Sequence, residues 1–294
     1  MQSPELSRHM PVLSGELLTW LTPQPGETWV DATTGGGGHT RLLAERVGAT
    51  GRVIALDRDE TMLAAAARRL AGLNVTFVHA SFDQIDTVLE KLRLATADGL
   101  LADLGVCSDQ LDDAARGLSF MQSGPLDMRL DTSHGETAAQ LLARMNERDL
   151  ANVIFQYGEE RYSRRIAKRI VEQRRLVPLR TTGELAELVR KCVPRERGRT
   201  LDPATRTFQA LRIAVNDELG ALESLLRKLP RCLSRGGRAG LISFHSLEDR
   251  LVKRAFQDQV VWEVRTRKPV TATDEECQAN PRSRSAKLRV AVRR

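Results

Sequence analysis

Residues 97–131, ADGLLADLGVCSDQLDDAARGLSFMQSGPLDMRLD, decide how this chain is read. An apolar run ends on Asp103 and opens into a loop too rich in Asp, Gly and Ser to be core. In an α/β protein, a strand that stops on a carboxylate and flares into such a loop lies where open parallel sheets bind ligands, beyond the carboxyl ends of their strands. Working back from there, Thr28–Asp31 (TWVD), Arg52–Asp57 (RVIALD), Val75–His79 (VTFVH) and Asp98–Asp103 (DGLLAD) read as buried strands. Thr40–Val47 and Glu60–Leu70 read as the helices between them. Alternation at this spacing means βαβ units and a parallel sheet.

Working forward, the pattern breaks. From Glu136 to Lys191 only helical periodicity is present. Leu141, Leu142 and Met145 form one stripe, and Leu150, Val153, Ile154 and Tyr157 the next. Thr181 and Glu184 form a capping box that opens a further helix. One long amphipathic helix is expected after Pro203, carrying Phe208, Leu211, Val215, Leu219, Leu222, Leu226 and Leu229. Strand signals return at Gly237–Phe244, with two final strands at Val260–Thr266 and Lys287–Val292. The simplest architecture is an α/β, doubly wound, mainly parallel sheet with an all-helical insertion between strands 4 and 5. Residues 1–112 and 205–294 would form the sheet domain and 113–204 the insertion, with edges falling near 112–136 and 195–205.

The chain of 294 residues is 41% hydrophobic and 28% charged, a globular profile. No apolar run approaches the roughly 20 residues that span a bilayer, and the N-terminus lacks a signal-peptide layout, so a cytoplasmic protein without a membrane partner is expected. Cys107, Cys192, Cys232 and Cys277 lie far apart, with neither the pairing of a disulfide framework nor the spacing of a zinc site, and no metal is expected. The net charge of +7 is uneven. Residues 161–175, RYSRRIAKRIVEQRR, hold seven basic side chains and one acid, Glu172, and the tail from Pro281 holds six and none. Such clusters are the electrostatic footprint of a phosphate-backbone binder, or equally a solvated helix face and a basic tail.

After the first strand comes Asp31-Ala-Thr-Thr-Gly-Gly-Gly-Gly-His39-Thr40. Glycines at a strand-to-helix turn let backbone approach a ligand, and the helix N-terminus offers free N–H groups. The dinucleotide fingerprint G-x-G-x-x-G fails because Thr40 occupies the third glycine position, and no Gly-Lys-Ser/Thr follows for a P-loop. The run fits better the D-x-G-x-G-x-G loop of S-adenosylmethionine-dependent methyltransferases, with Thr33 in place of the first glycine. Twenty residues beyond Gly37, the second strand ends on Asp57, where a carboxylate is placed to accept both hydroxyls of a ribose. Phe82, after the third strand, is either an adenine contact or a core ring.

These residues belong to longer blocks. HMPVLSGELL (9–18), GGGGHT (35–40), LDRD (56–59), DLGVCSDQLDDAARGLSFMQSGPLDMRLD (103–131), YGEERYSRRIAKRIVEQR (157–174), DPATRTFQALRIAVNDEL (202–219), GGRAGLISFHSLEDRLVKR (236–254) and NPRSRSAKLRVA (280–291) run in order through almost the whole chain. In these blocks it resembles the bacterial 16S ribosomal RNA (cytosine-N4)-methyltransferases of the RsmH/MraW type. The resemblance implies a class I S-adenosylmethionine-dependent methyltransferase fold with a helical insertion. It implies methylation of the exocyclic N4 of a cytidine in the decoding region of 16S rRNA in the small ribosomal subunit. Carried over residue by residue, the family's cofactor contacts fall on Gly37, Gly38, His39, Asp57, Phe82, Asp103 and Gln110. Two departures stand out: the segment between the SFHSLEDR and NPRSRS blocks is short, and Cys107 replaces a serine.

Many amino-methyltransferases follow the fourth strand with an Asp/Asn-Pro-Pro-aromatic turn, in which the acid or amide accepts the amine N–H and the aromatic stacks on the base. Here the turn is Asp103-Leu104-Gly105-Val106, which keeps the acid and lacks the aromatic. Asp103 is therefore the candidate N4 acceptor, and Phe244 or Phe120 the candidate base platform. His245 and Ser246 are candidates for base or phosphate contacts, against the plainer reading of Ser246 as a helix N-cap with Asp249 as its capping partner. Arg161, Arg164, Arg165, Lys168 and Arg169 are candidates for rRNA phosphates, with Arg282, Arg284 and Arg289 of the tail. The alternatives are an amino-methyltransferase for another nucleic acid, such as DNA, and a non-catalytic RNA-binding protein on a methyltransferase scaffold. The oligomeric state is not legible in the sequence.

Overall fold

The computed structural model describes residues 11–194 and 201–294. The block at 9–18 and the insertion edge near 195–205 thus lie partly outside the described residues. Contacts divide the chain into two units, one of residues 1–106 with 219–294 and one of residues 107–218.

The first unit opens with helix α1 (Ser14–Leu21), which the sequence reading does not mark. It continues through β1 (Thr28–Asp31), α2 (Gly38–Val47), β2 (Arg52–Asp57), α3 (Glu60–Arg69), β3 (Val75–His79), α4 (Ile85–Lys91) and β4 (Ala97–Asp103). The second unit holds α5 (Ser108–Asp112), α6 (Ala138–Arg144), α7 (Glu147–Gly158), α8 (Ser163–Leu176), α9 (Thr182–Cys192) and α10 (Thr205–Asn216). The chain then forms α11 (Glu218–Cys232), β5 (Leu233–Ser243), α12 (Ser246–Phe256), β6 (Trp262–Val264), α13 (Asp274–Ala279) and β7 (Lys287–Arg293).

The strands make one seven-stranded sheet in the order β3-β2-β1-β4-β5-β7-β6. The first five are parallel, and β7 runs antiparallel to β5 and β6. Side chains alternate along a strand between the two faces of a sheet. On one face Val30, Ile54 and Leu100 pack with Ile85 and Leu89 of α4, Leu225 and Leu229 of α11, and Val252 and Phe256 of α12. On the other, Trp29, Val53 and Leu101 pack with Leu17 and Leu21 of α1 and Leu43 and Val47 of α2. With helices on both faces, the sheet is doubly wound. Trp29 and β4 approach so closely that a Cβ on Gly99 would strike the indole ring. Strand order reverses between β1 and β4, and ligands of such sheets bind at that switch point.

The helical unit is built on capped amphipathic helices. Thr181 and Glu184 form the capping box expected from sequence, and Asn146 caps α7 by accepting from Asp149 N–H at 2.9 Å. In α8, Ile166, Ala167 and Ile170 are buried while Arg164, Arg165, Lys168 and Arg169 are exposed.

Three expectations need correction. The loop after β4 is irregular in backbone, yet it contributes core: Leu118, Leu126, Met128 and Leu130 are buried. Its backbone is tied down by Leu126 N–H to Arg180 O (2.9 Å) and by Asn216, which accepts from Leu130 N–H and donates to Met128 O. The expected single helix after Pro203 is two helices, broken where Asp217 takes a left-handed conformation (φ 48°). The units divide outside the expected edges of 113 and 204, because α10 packs on α7, and there Gly158 leaves no room for a Cβ beside Arg206 O. Among the described residues no helix is long and apolar enough to cross a membrane.

Candidate active site

Three carboxylates converge where β1, β2 and β4 end. Asp31, at the end of β1, is wholly buried and accepts from Thr40 Oγ1 at 2.6 Å and Thr33 N–H at 3.2 Å. Burial pushes its carboxyl up to about 6 against those two bonds. Asp57, ending β2, takes the Gly35 N–H on Oδ2 at 2.7 Å and the Asp59 N–H on Oδ1 at 2.8 Å. Burial raises it likewise to about 6, with the neighbouring Asp59 charge adding to the rise. Asp103, ending β4, is also raised to about 6 by burial and by the charges of Asp31 and Glu248, while His39 opposes the shift.

The glycine run links these acids. Gly37 sits at φ 84° as the N-cap residue of α2, a conformation natural to glycine and costly for other residues. A Cβ on Gly38 would lie 3.1 Å from Pro11, so the segment before α1 closes directly over the loop. His39 follows in the first turn of α2. Its Nε2 donates to Val12 O at 2.8 Å, and its Nδ1 lies 3.5 Å from Asp103 Oδ2. Asp103 N–H donates to Thr33 Oγ1 at 2.6 Å. The other carboxylate oxygen, Oδ1, is buried and receives no hydrogen bond from any described residue.

This set fits S-adenosylmethionine. A carboxylate oxygen has lone pairs for more than one donor, so Asp57 retains acceptor capacity for two ribose hydroxyls beyond its two backbone bonds. The N-terminus of α2 offers N–H groups to the methionine carboxylate. Asp103 Oδ1 remains a buried acceptor.

The remaining expected site residues have the following surroundings. Phe82 is in the apolar cluster with Val30, Ile54 and Leu56, with the Arg58 guanidinium 5.4 Å from its ring centroid. Gln110 is buried in the helical unit and accepts from Cys107 N–H at 3.1 Å. Phe120 belongs to that unit too, packed edge-on against Phe208 at 4.8 Å, with Arg190 over its ring at 5.6 Å. In the sheet unit Phe244 is partly buried beside Leu288 and Val290. The N-cap of α12 is His245, not Ser246, and its capping partner is Glu248, not Asp249: Glu248 Oε2 takes the Phe244 N–H at 2.9 Å and the His245 N–H at 3.4 Å. Asp249 instead binds Arg289 through two hydrogen bonds of 2.6 and 3.2 Å. Arg289 is thereby buried and spent as a phosphate ligand, whereas Arg284 is exposed. Sequence reasoning missed the roles of Thr33 and Val12, because each acts on a residue brought to it only by the fold.

A doubly wound sheet of this strand order, with an acid at the end of β2 and a glycine loop at the switch point, defines a class I S-adenosylmethionine-dependent methyltransferase. The model of the MraW methylase family matches residues 6–294. The chain is 52% identical to ribosomal RNA small subunit methyltransferase H of Sorangium cellulosum, over 99% of this chain and 92% of that protein. It is 50% identical to the protein of the same name in Synechococcus elongatus, over 99% and 96%, and 49% identical to that of a Nostoc species, over 96% and 92%. The chain belongs to the MraW methylase family.

Proposed function

We propose that this protein methylates the exocyclic N4 of a cytidine in the decoding region of 16S rRNA, on the small ribosomal subunit in the cytoplasm. The relatives' shared name supports a small-subunit rRNA substrate. The observation that carries the amine chemistry is Asp103 Oδ1, an acceptor at the end of β4 with no hydrogen-bond partner among the described residues.

When bound, S-adenosylmethionine supplies a methyl group on a sulfonium sulfur, which keeps the electron pair of the breaking bond as the amine nitrogen bonds the carbon and sheds one proton. The N4 lone pair of cytosine is delocalised into the ring, which makes the amine a poor nucleophile. Asp103 Oδ1 accepts one N–H, restoring electron density to nitrogen and orienting its lone pair, and then receives the departing proton. Positioning and electrostatics therefore supply the catalysis, with no covalent enzyme intermediate. Glycines 37 and 38, His39 and Asp57 hold the cofactor with Phe82, and Phe244 supports the base. Arg161, Arg164, Arg165, Lys168 and Arg169 on and beside α8 hold rRNA phosphates, with His245 and Ser246 as further RNA contacts.

The test is transfer of labelled methyl to small subunits that lack the N4 methyl group, followed by nucleoside identification by mass. Label in N4-methylcytidine at one decoding-region position is expected. Label at another atom, or on duplex DNA in preference to subunits, overturns the proposal. In Asp103→Ala, transfer should vanish while cofactor affinity holds; equal loss of both would remove Asp103 as the amine acceptor.

A further inference from the structure

The two ring nitrogens of His39 face partners that make contradictory demands on a neutral ring. Nε2 lies 2.8 Å from Val12 O. A carbonyl oxygen only accepts, so Nε2 carries a hydrogen. A neutral imidazole protonated at Nε2 has a bare lone pair on Nδ1, and Nδ1 lies 3.5 Å from Asp103 Oδ2. An ionised carboxylate also offers only lone pairs, so two acceptors would face each other, one of them on a buried ring. One additional proton removes the conflict. Among the described residues the charged groups that reach Asp103 besides His39 are Asp31 and Glu248, both acids, and they favour retaining that proton. The Val12 anchor is itself fixed: Pro11 lies against Gly38, and Leu13 N–H donates to Glu276 Oε1 at 2.8 Å.

We propose that His39 is a positioning residue for methyl transfer: anchored by Nε2–H on Val12, its imidazolium donates from Nδ1 to Asp103 Oδ2 and leaves Oδ1 as the acceptor for the substrate amine. The inference rests on the amine-acceptor role of Asp103 proposed above. It adds that Asp103 works as half of a proton-holding pair. The proton on His39 is not consumed, because the one released by the amine arrives at Oδ1 and leaves to water.

Two measurements test it. In protein with 15N-labelled histidine, the five histidines are observed together and His39→Asn assigns the resonance of interest. At neutral pH both ring nitrogens of His39 should carry protons, and in Asp103→Asn the Nδ1 proton should be lost. A wild-type ring with Nδ1 unprotonated overturns the proposal, whatever the substrate proves to be. The second measurement is single-turnover transfer to subunits. Glutamine at 39 can keep the donor toward Val12 but offers none to Asp103, whereas an asparagine amide stands where Nδ1 stood. His39→Gln should slow transfer about a hundredfold, the scale of a misplaced reacting group, and His39→Asn should retain at least about tenfold more activity. Equal rates in the two variants count against the pair. If the wild-type protein transfers nothing to subunits, the functional proposal fails, and the nitrogen spectra still decide the state of His39.

Discussion

Thr33 Oγ1 accepts a 2.6 Å hydrogen bond from the backbone N–H of Asp103, 70 residues away in sequence. Glycine loops of this type open with glycine at the Thr33 position, which has no side chain to offer. Here the hydroxyl joins the exit of β1 to the exit of β4, across the line where strand order reverses. It also sets where the Asp103 backbone sits, and so where its carboxylate begins.

Replacing Thr33 with valine keeps the shape and removes the acceptor. The Asp103 N–H is then unpaired and partly buried, at a cost of about 1–3 kcal/mol. Urea unfolding of Thr33→Val should show this loss, and Thr33→Ser should recover most of it. Equal stability of the valine variant and wild type would show that the bond is redundant.

The Asp57 carboxylate is held by the loop and, in the proposed site, would also accept the ribose hydroxyls of the cofactor. In Asp57→Asn the amide nitrogen must face either Gly35 N–H or Asp59 N–H, donor against donor. Loss of a charged acceptor of this kind is worth about 1.5–3 kcal/mol, which corresponds to roughly 10- to 100-fold in cofactor affinity. Calorimetric titration with S-adenosylmethionine reads it directly.

The three strand-end acids predict opposite pH trends for the free fold and for cofactor binding. Asp31, Asp57 and Asp103 are each raised from 3.8 to about 6, chiefly by burial. Between those values the folded protein keeps protons that the unfolded chain has released, so these groups make it less stable as pH rises through that window. If Asp57 accepts the ribose hydroxyls as proposed, binding needs it ionised, and cofactor affinity should fall below about pH 6, by up to about tenfold per unit. Stability that rises steadily from pH 4 to 6, with flat cofactor affinity, would refute both trends.

The exposed cations of α8 predict a salt effect. Arg164, Arg165 and Lys168 have no ion-pair partner among the described residues, whereas Arg169 lies 3.2 Å from Glu172. Each phosphate contact contributes about 0.7–0.9 to the slope of log affinity against log salt. Changing the first three to serine should therefore reduce the slope for rRNA binding by about 2–3. An unchanged slope would make α8 a solvated face.

The strands that carry the site were legible because each is a short apolar run ending in an acid. β1, β2 and β3 match their expected bounds, and β4 begins one residue early. Asp57 and Asp103 stand out for the same reason, whereas the sequence marks Asp31 only as the start of the glycine run. What lay hidden depends on pairing across the fold or on a single backbone angle. Nothing near His39 in sequence announces Val12 or Asp103 as its neighbours. The apolar spacing from Phe208 to Leu229 continues through Asp217 as though one helix ran on, and only its left-handed backbone ends the first. At α12, Ser-Leu-Glu-Asp resembles a capping box, but the imidazole one residue earlier takes the role. The loop at 113–136 misled by composition, since a few buried apolar side chains suffice to make a polar segment part of a core.

The sheet order also has a consequence for how the chain is made. β4 pairs with β5, yet the whole helical unit is synthesised between them. The first half of the site, from β1 to β4, is complete in the nascent chain long before β5, β7 and β6 exist to cover the β4 edge. Helical contacts are local and form quickly, while a pairing across so long a connection is slow. A helical unit that collapses first shortens the effective loop that must close and lowers its entropic cost. Until the last strands emerge, the β4 edge is an open template for pairing with other chains. The insertion therefore shapes the birth of the protein, and the C-terminal strands are the step that seals the sheet.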